Sequence, residues 1–114
     1  MPYTTYAQIN SLDEFSFIGG TDQTLEFTVY DQNGVAANLA AATCSWKMAP
    51  YGEPESTTLT KSGSVIDTNI FQVYIPASDT LALDGKFMHQ PIIVLGGNEY
   101  RSQQGIINIS AAIS

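Results

Sequence analysis

His89 is the only histidine in the chain and Cys44 the only cysteine, so imidazole and thiol chemistry have one address each. A catalytic imidazole must lie within hydrogen-bond reach of a nucleophile, and a reactive thiol needs a cation or a helix N-terminus to lower its pKa. Neither setting is visible. Cys44 falls in a stretch where Cys44, Trp46 and Met48 alternate with Ser45 and Lys47, and a small thiol in that register packs as an inert core residue. His89 falls inside the run from Lys86 to Leu95 with no nucleophile-elbow turn beside it. It reads as a strand residue that packs or hydrogen-bonds, and no catalytic residue is assigned. One cysteine also excludes a disulfide within the chain, and no Cys/His cluster has zinc spacing.

The carboxylates offer little more. Asp31-Gln32-Asn33-Gly34 opens like a calcium loop, but its glycine comes two positions early and no bidentate glutamate follows at the required distance. A tight turn is expected there. Asp13-Glu14 and Glu53/Glu55 read as solvated charge. Gly19-Gly20-Thr21 and Gly96-Gly97-Asn98 lack the lysine and following helix of a phosphate cradle and read as turns. Neither a metal nor a cofactor is expected. The six tyrosines bear instead on binding: Tyr30 and Tyr74 point outward if Phe27 and Phe71 point inward, and Tyr3 and Tyr6 sit in the N-terminal segment. Outward aromatics stack on sugar rings or anchor protein interfaces, with cross-strand packing as the ordinary alternative.

What must position these groups follows from composition and periodicity. With 114 residues, 44% of them hydrophobic and 13% charged, the chain suits one domain with its own core. A net charge of -7 repels phosphate backbones and anionic headgroups, so neither nucleic acid nor a membrane surface is an expected partner. Lys47, Lys61, Lys86 and Arg101 look too scattered along the chain to form a basic patch. The first residues lack the basic and apolar regions of a secretory signal, and no stretch reaches membrane-spanning length, so synthesis and folding in the cytoplasm are expected.

Thr24 to Tyr30 alternates strictly, with Leu25, Phe27 and Val29 on one face, and runs into the hairpin signal Asn33-Gly34. Further strands are expected at Phe15–Ile18, Thr43–Met48 with Trp46 central to the core, Thr57–Lys61, Ile70–Ile75, Lys86–Leu95 and Glu99–Ile109, the last with a bulge at Gly105. Pro91 lacks the N–H of an interior ladder, which argues for a bulge in its strand or for an edge open to a neighbour. Pro76 to Gly85 reads as one short helical turn near 77–83 that lays Leu81 or Leu83 over an open end of the core. Tyr3, Tyr6, Ile9 and Leu12 recur every third residue, so residues 1–14 form either a short helix or an extended arm, packing on their own domain or on another subunit. The expected architecture is therefore an all-β, immunoglobulin-like antiparallel β-sandwich of about seven to eight strands over 15–114, preceded by an arm.

The order of features resembles a known family. Gly20-Thr21-Asp22 precedes Thr-Leu-Glu-Phe-Thr-Val-Tyr-Asp; Gln-Asn-Gly, Asn38-Leu39 and Ala-Thr-Cys-Ser-Trp-Lys-Met follow. Then come Phe71 to Pro76, Ser78-Asp79-Thr80, Gly85-Lys86-Phe87, Gly96-Gly97 and Gly105-Ile106-Ile107. Over roughly residues 18–110 this is similar to the immunoglobulin-like domains of tailed-phage baseplate and tail-fibre proteins, above all the N-terminal domain of the baseplate upper protein. The resemblance implies a non-enzymatic virion structural module, assembled in the host cytoplasm, that docks on other phage structural proteins within a homo-oligomer. The alternative from the residues is a carbohydrate-binding or adhesion module using the outward tyrosines. Tyr3, Tyr6, Tyr30, Tyr74 and Pro91 are the interface candidates.

Overall fold

Alternation becomes strand wherever one face can be buried. The protein, in a computed structural model, is described over residues 8–9, 14–30, 34–101 and 104–113. Among these residues the strands are β1 (Gln8–Ile9), β2 (Phe15–Ile18), β3 (Gln23–Tyr30), β4 (Thr43–Pro50), β5 (Leu59–Ser62), β6 (Ser64–Asp67) and β7 (Ile70–Ile75). After the helical turn α1 (Ala77–Thr80) come β8 (Gly85–Leu95), β9 (Asn98–Arg101) and β10 (Gly105–Ser110). Two sheets result, ordered β1-β3-β7-β6 and β2-β10-β8-β4-β5, with β9 also on β8. This is the expected sandwich, and its order is that of immunoglobulin strands A, B, E and D facing G, F, C and C′.

Phe27, Val29, Cys44, Trp46, Met48, Phe71, Val73 and Ile75 all face the core and are buried, as their alternation requires. Ala37, Leu39, Phe87, Ile93, Ile107 and Ile109 join them in the core. Strands β3 and β8, which carry the inter-sheet disulfide in antibody domains, are joined here by ring packing, with Phe27 6.3 Å from His89 between centroids.

The structure corrects several expectations. Pro91 is buried within its sheet, not at an edge, because β8 pairs with β4 along Thr43–Pro50 on one side. On the other side β10 covers β8 as far as His89 and β9 takes over at Ile92. Pro91 thus falls in the gap where that neighbour changes, which is where a missing N–H is tolerated. Where one strand was expected from Glu99 to Ile109 the described residues form two, β9 and β10, both antiparallel to β8, with Arg101 opposite Ile92 and Gly105 opposite His89.

Strand β6 was not expected at all; its four residues are all exposed, so no alternation betrays it. β2 pairs in parallel with β10, from Phe15 opposite Ile107 to Ile18 opposite Ser110, which departs from a purely antiparallel design. Within the arm, Gln8 and Ile9 pair with Tyr30 and Val29 of the chain's own β3; Tyr3, Tyr6 and Leu12 lie outside the described residues.

Two loops are held by contacts between segments distant in sequence. The Ala77 N–H that opens α1 donates to Asp22 Oδ1 at 2.7 Å, and the Gly20 N–H donates to the buried Thr80 hydroxyl at 3.0 Å. Asp79 of the same turn pairs with Lys61 of β5. Of the two leucines expected over the core, Leu83 packs on it and Leu81 is exposed. After β3 the chain does turn back: Ala36 bridges Tyr30, and Gly34 has φ 78 as a tight turn requires.

Gly63 is where β5 of one sheet passes into β6 of the other. Its N–H donates to the Cys44 carbonyl at 2.8 Å, and a Cβ there would lie 2.6 Å from the Phe71 ring and 3.2 Å from Cys44 Cβ. Both neighbours are buried. Gly63→Ala should therefore destabilise the fold by about 1–3 kcal/mol, seen as a lower urea midpoint at unchanged slope; an unchanged midpoint would refute the close packing.

Candidate functional site

Trp46 and His89 are fully buried on neighbouring strands, and the indole Nε1–H donates to His89 Nδ1 at 2.9 Å. An accepting Nδ1 leaves the imidazole proton on Nε2, which has no hydrogen-bond partner among the described residues. Around it stand rings: Phe15 meets the imidazole at 5.9 Å and 89°. Burial pushes the His89 pKa down to about 4, so the group is neutral at ordinary pH. Burial likewise pushes the Cys44 thiol up to about 11. The chain's one imidazole and one thiol are therefore packed inside and uncharged.

The outward tyrosines divide. Tyr74 is 54% exposed and its hydroxyl donates to Asp22, an interaction that raises its pKa. Tyr30 is half-buried at the end of β3. Beside Tyr74 on the outer face of the four-stranded sheet, Gln72 Nε2 donates to Glu26 Oε2 at 3.1 Å. Asp67 on β6, opposite Ile70 of β7, shares that outer side. The loop carrying Glu53 and Glu55 is exposed, and Asp31, Gln32 and Asn33 lie outside the described residues. Among the described residues no three His, Cys, Asp or Glu side chains gather as a metal site would need.

The groups that sequence reading missed are the basic ones. In an antiparallel pair, opposite residues share a face. Trp46 and Met48 point inward, so Lys47 points out, as does Gln90 opposite it. Ile92 lies on the same outer face, and Arg101 is opposite Ile92. Lys86, four residues before Gln90 on β8, also faces out. Three of the four basic residues thus converge on the outer face of the six-stranded sheet, contrary to their scatter along the chain.

Between the 51–57 loop and the β9–β10 junction this face forms a groove of about 160 Å³, with Lys47, Gln90, Arg101, Gln104 and Thr57 as polar lining and Met88 and Pro54 as apolar lining. Arg101 Nε donates to Glu99 Oε2 at 3.0 Å, and its NH1 donates to Gln90 at 3.4 Å. Lys86 lies 4.4 Å above the ring of exposed Tyr51. Lys47 has no ion-pair partner among the described residues. Such a groove suits a carboxylate or amide carried by a partner.

A second feature is an edge that no other described strand covers. β6 ends the four-stranded sheet, and between Val65 and Asp67 two steps on β6 face one on β7. This bulge disturbs the edge against strand addition. It leaves Val65 and Ile66, 41% and 51% exposed, along a hollow with Asn38, Ala40 and Thr68.

Comparison with known proteins agrees on the architecture. No protein-family model matches the chain, and no curated protein matches it in sequence. Among solved structures it is similar to CopC from Methylosinus trichosporium OB3b, with a TM-score of 0.56 over 98% of each chain at 5% identity. At that identity the likeness is one of fold.

The buried imidazole makes a pH dependence. Its folded pKa lies below the ordinary 6.5, so an unfolded chain binds a proton that the folded chain refuses. The neutral form's contribution is complete above the unfolded pKa and is lost as pH falls toward the folded one. Between about pH 7 and about pH 5 the loss should reach about 2 kcal/mol. Urea midpoints of the parent chain should fall over this range by more than those of His89→Phe; equal falls would show that the imidazole is not the titrating group.

Proposed function

We propose that this chain is a non-enzymatic structural protein of a phage or prophage virion, a tail or baseplate assembly module acting through protein–protein contacts. The observation that carries the assembly reading is the β6 edge of the four-stranded sheet. There Val65 and Ile66 expose apolar surface on a rigid frame, and such surface beside a bulged edge favours side-chain docking over strand addition. Burial of His89 and Cys44 in neutral form supports the absence of turnover. The phage assignment rests on the order of turn and core residues from Gly20 to Ile107. In this reading the chain is assembled in the host cytoplasm, its partners are other virion proteins, and it is carried in the particle.

The genes flanking its own should encode virion components, and co-expression with their products should give a complex. Val65→Lys with Ile66→Lys should weaken that complex about tenfold or more while leaving the melting temperature unchanged. A neighbourhood without virion genes, or a chain that binds none of their products, overturns the proposal.

A glycan-binding reading draws on one observation, the exposed Tyr74 beside the Glu26–Gln72 pair. It requires glycan binding that vanishes in Tyr74→Ala with folding intact. A glycan array without a hit removes it.

A further inference from the structure

The start of the chain and the β6 edge meet at one end of the four-stranded sheet. β1 runs antiparallel to β3 with Gln8 opposite Tyr30, so the residues before Gln8 leave the sheet at the end where β3 stops. β6 ends there too, because Asp67 is opposite Ile70, the first residue of β7, and Ile70 is opposite Thr28 of β3. The segment 36–40 links the two: Ala36 bridges Tyr30, and the Leu39 N–H donates to the Thr68 carbonyl at 2.8 Å. Beside it opens a hollow of about 350 Å³, lined by Val65, Ile66 and Ala40 together with Asn38, Asp67 and Thr68.

We propose that residues 1–7 of the same chain, which lie outside the described residues, cover this hollow, with the Tyr3 ring seated against Val65 and Ile66. The reach is sufficient. β1 and β6 are three strand spacings apart in the sheet order, about 14 Å, and five residues of extended chain from Gln8 back to Tyr3 span about 17 Å. Tyr6, two residues from Gln8, falls over the segment 36–40. The chemistry agrees with the distance. Met1 to Ala7 carry no charged side chain in a chain of net charge -7, so Asp67 at the rim does not repel them. A tyrosine offers an apolar ring with a polar tip, and the hollow sets Val65, Ile66 and Ala40 beside the Asn38 amide and the Thr68 hydroxyl. A tethered segment also acts at an effective concentration on the order of millimolar, which favours it over the same segment of a second copy.

The bearing of this contact on assembly rests on the assembly reading. The arm then occupies the surface that a virion partner needs, so docking requires its displacement, and the apparent affinity is reduced by the fraction of time the hollow stands open.

A spin label on Thr5→Cys tests the contact, because buried Cys44, with its thiol pushed up to about 11, stays unlabelled. In methyl NMR spectra the Val65 and Ile66 signals of the labelled chain should lose more than half their intensity and regain it when the label is reduced. Adding Tyr3→Ala and Tyr6→Ala to the labelled chain should restore most of it, which a tether merely passing nearby would not do. An isotope-enriched chain without label, mixed with a labelled one, should show no loss. Deleting residues 1–7 should leave circular dichroism unchanged and tighten binding of a virion partner about tenfold. The inference is overturned by a labelled chain without loss, by a loss indifferent to the tyrosines, by a loss in the mixture, or by a deletion that binds its partner no more tightly. A tyrosine-dependent loss in a chain that binds none of its neighbouring genes' products upholds the arm contact and removes the assembly reading. Partner binding through Val65 and Ile66 without any such loss removes the arm contact and leaves the assembly reading standing.

Discussion

The hydrogen bond from Trp46 to His89 constrains the interior more than any other contact described above. An indole N–H can only donate, and burying it unmet would cost about 1–3 kcal/mol. Its acceptor lies on the neighbouring strand, near the middle of the ladder between β4 and β8. Because side chains alternate, a slip of one residue would turn His89 outward and leave the indole stranded. The bond therefore ties the register of the central pair of strands to the burial of the largest core residue. It also sets the state of the imidazole, since an accepting Nδ1 must be unprotonated. Phe27 reaches His89 from the other sheet, so the same group that holds the register also joins the two layers.

How much of this was legible in the chain depends on whether one face of a segment is buried. β3, β4 and β7 have a dry side and a wet side, and Phe27, Trp46 and Phe71 mark the dry side in the sequence itself. β6 has no dry side chain, so Ser64-Val65-Ile66-Asp67 reads as nothing in particular; it is a strand because β7 pairs with it. Pro91 misled for a different reason. A missing N–H says that a ladder bond is absent, and an edge is only one way to arrange that. A change of neighbour from β10 to β9 is another, and it depends on two strands distant from the proline in sequence.

The candidate binding surface was hidden for the same physical reason. Lys47, Lys86 and Arg101 sit on three different strands, and only the lateral order of β4, β8 and β9 brings them to one face. Composition reported a strongly acidic chain and was right about the total. It carried no information about sign on each side of a two-layer structure, where every outward residue must choose one sheet or the other. The tyrosines were easier, because the inward register of Phe71 fixes the outward direction of Tyr74. The core role of His89 was legible only as a general possibility, since its partner lies 43 positions away.

The parallel ladder between β2 and β10 has a mechanical side. The chain enters β2 at Phe15 and leaves β10 at Ser110, and these strands run in the same direction side by side. Tension between the two flanking segments pulls β2 backward and β10 forward along their shared axis. The hydrogen bonds joining them are then strained together in shear, whereas the open end of an antiparallel hairpin yields one bond at a time. A sandwich tethered at both ends through this pair resists stretching along the tether with all of that ladder at once.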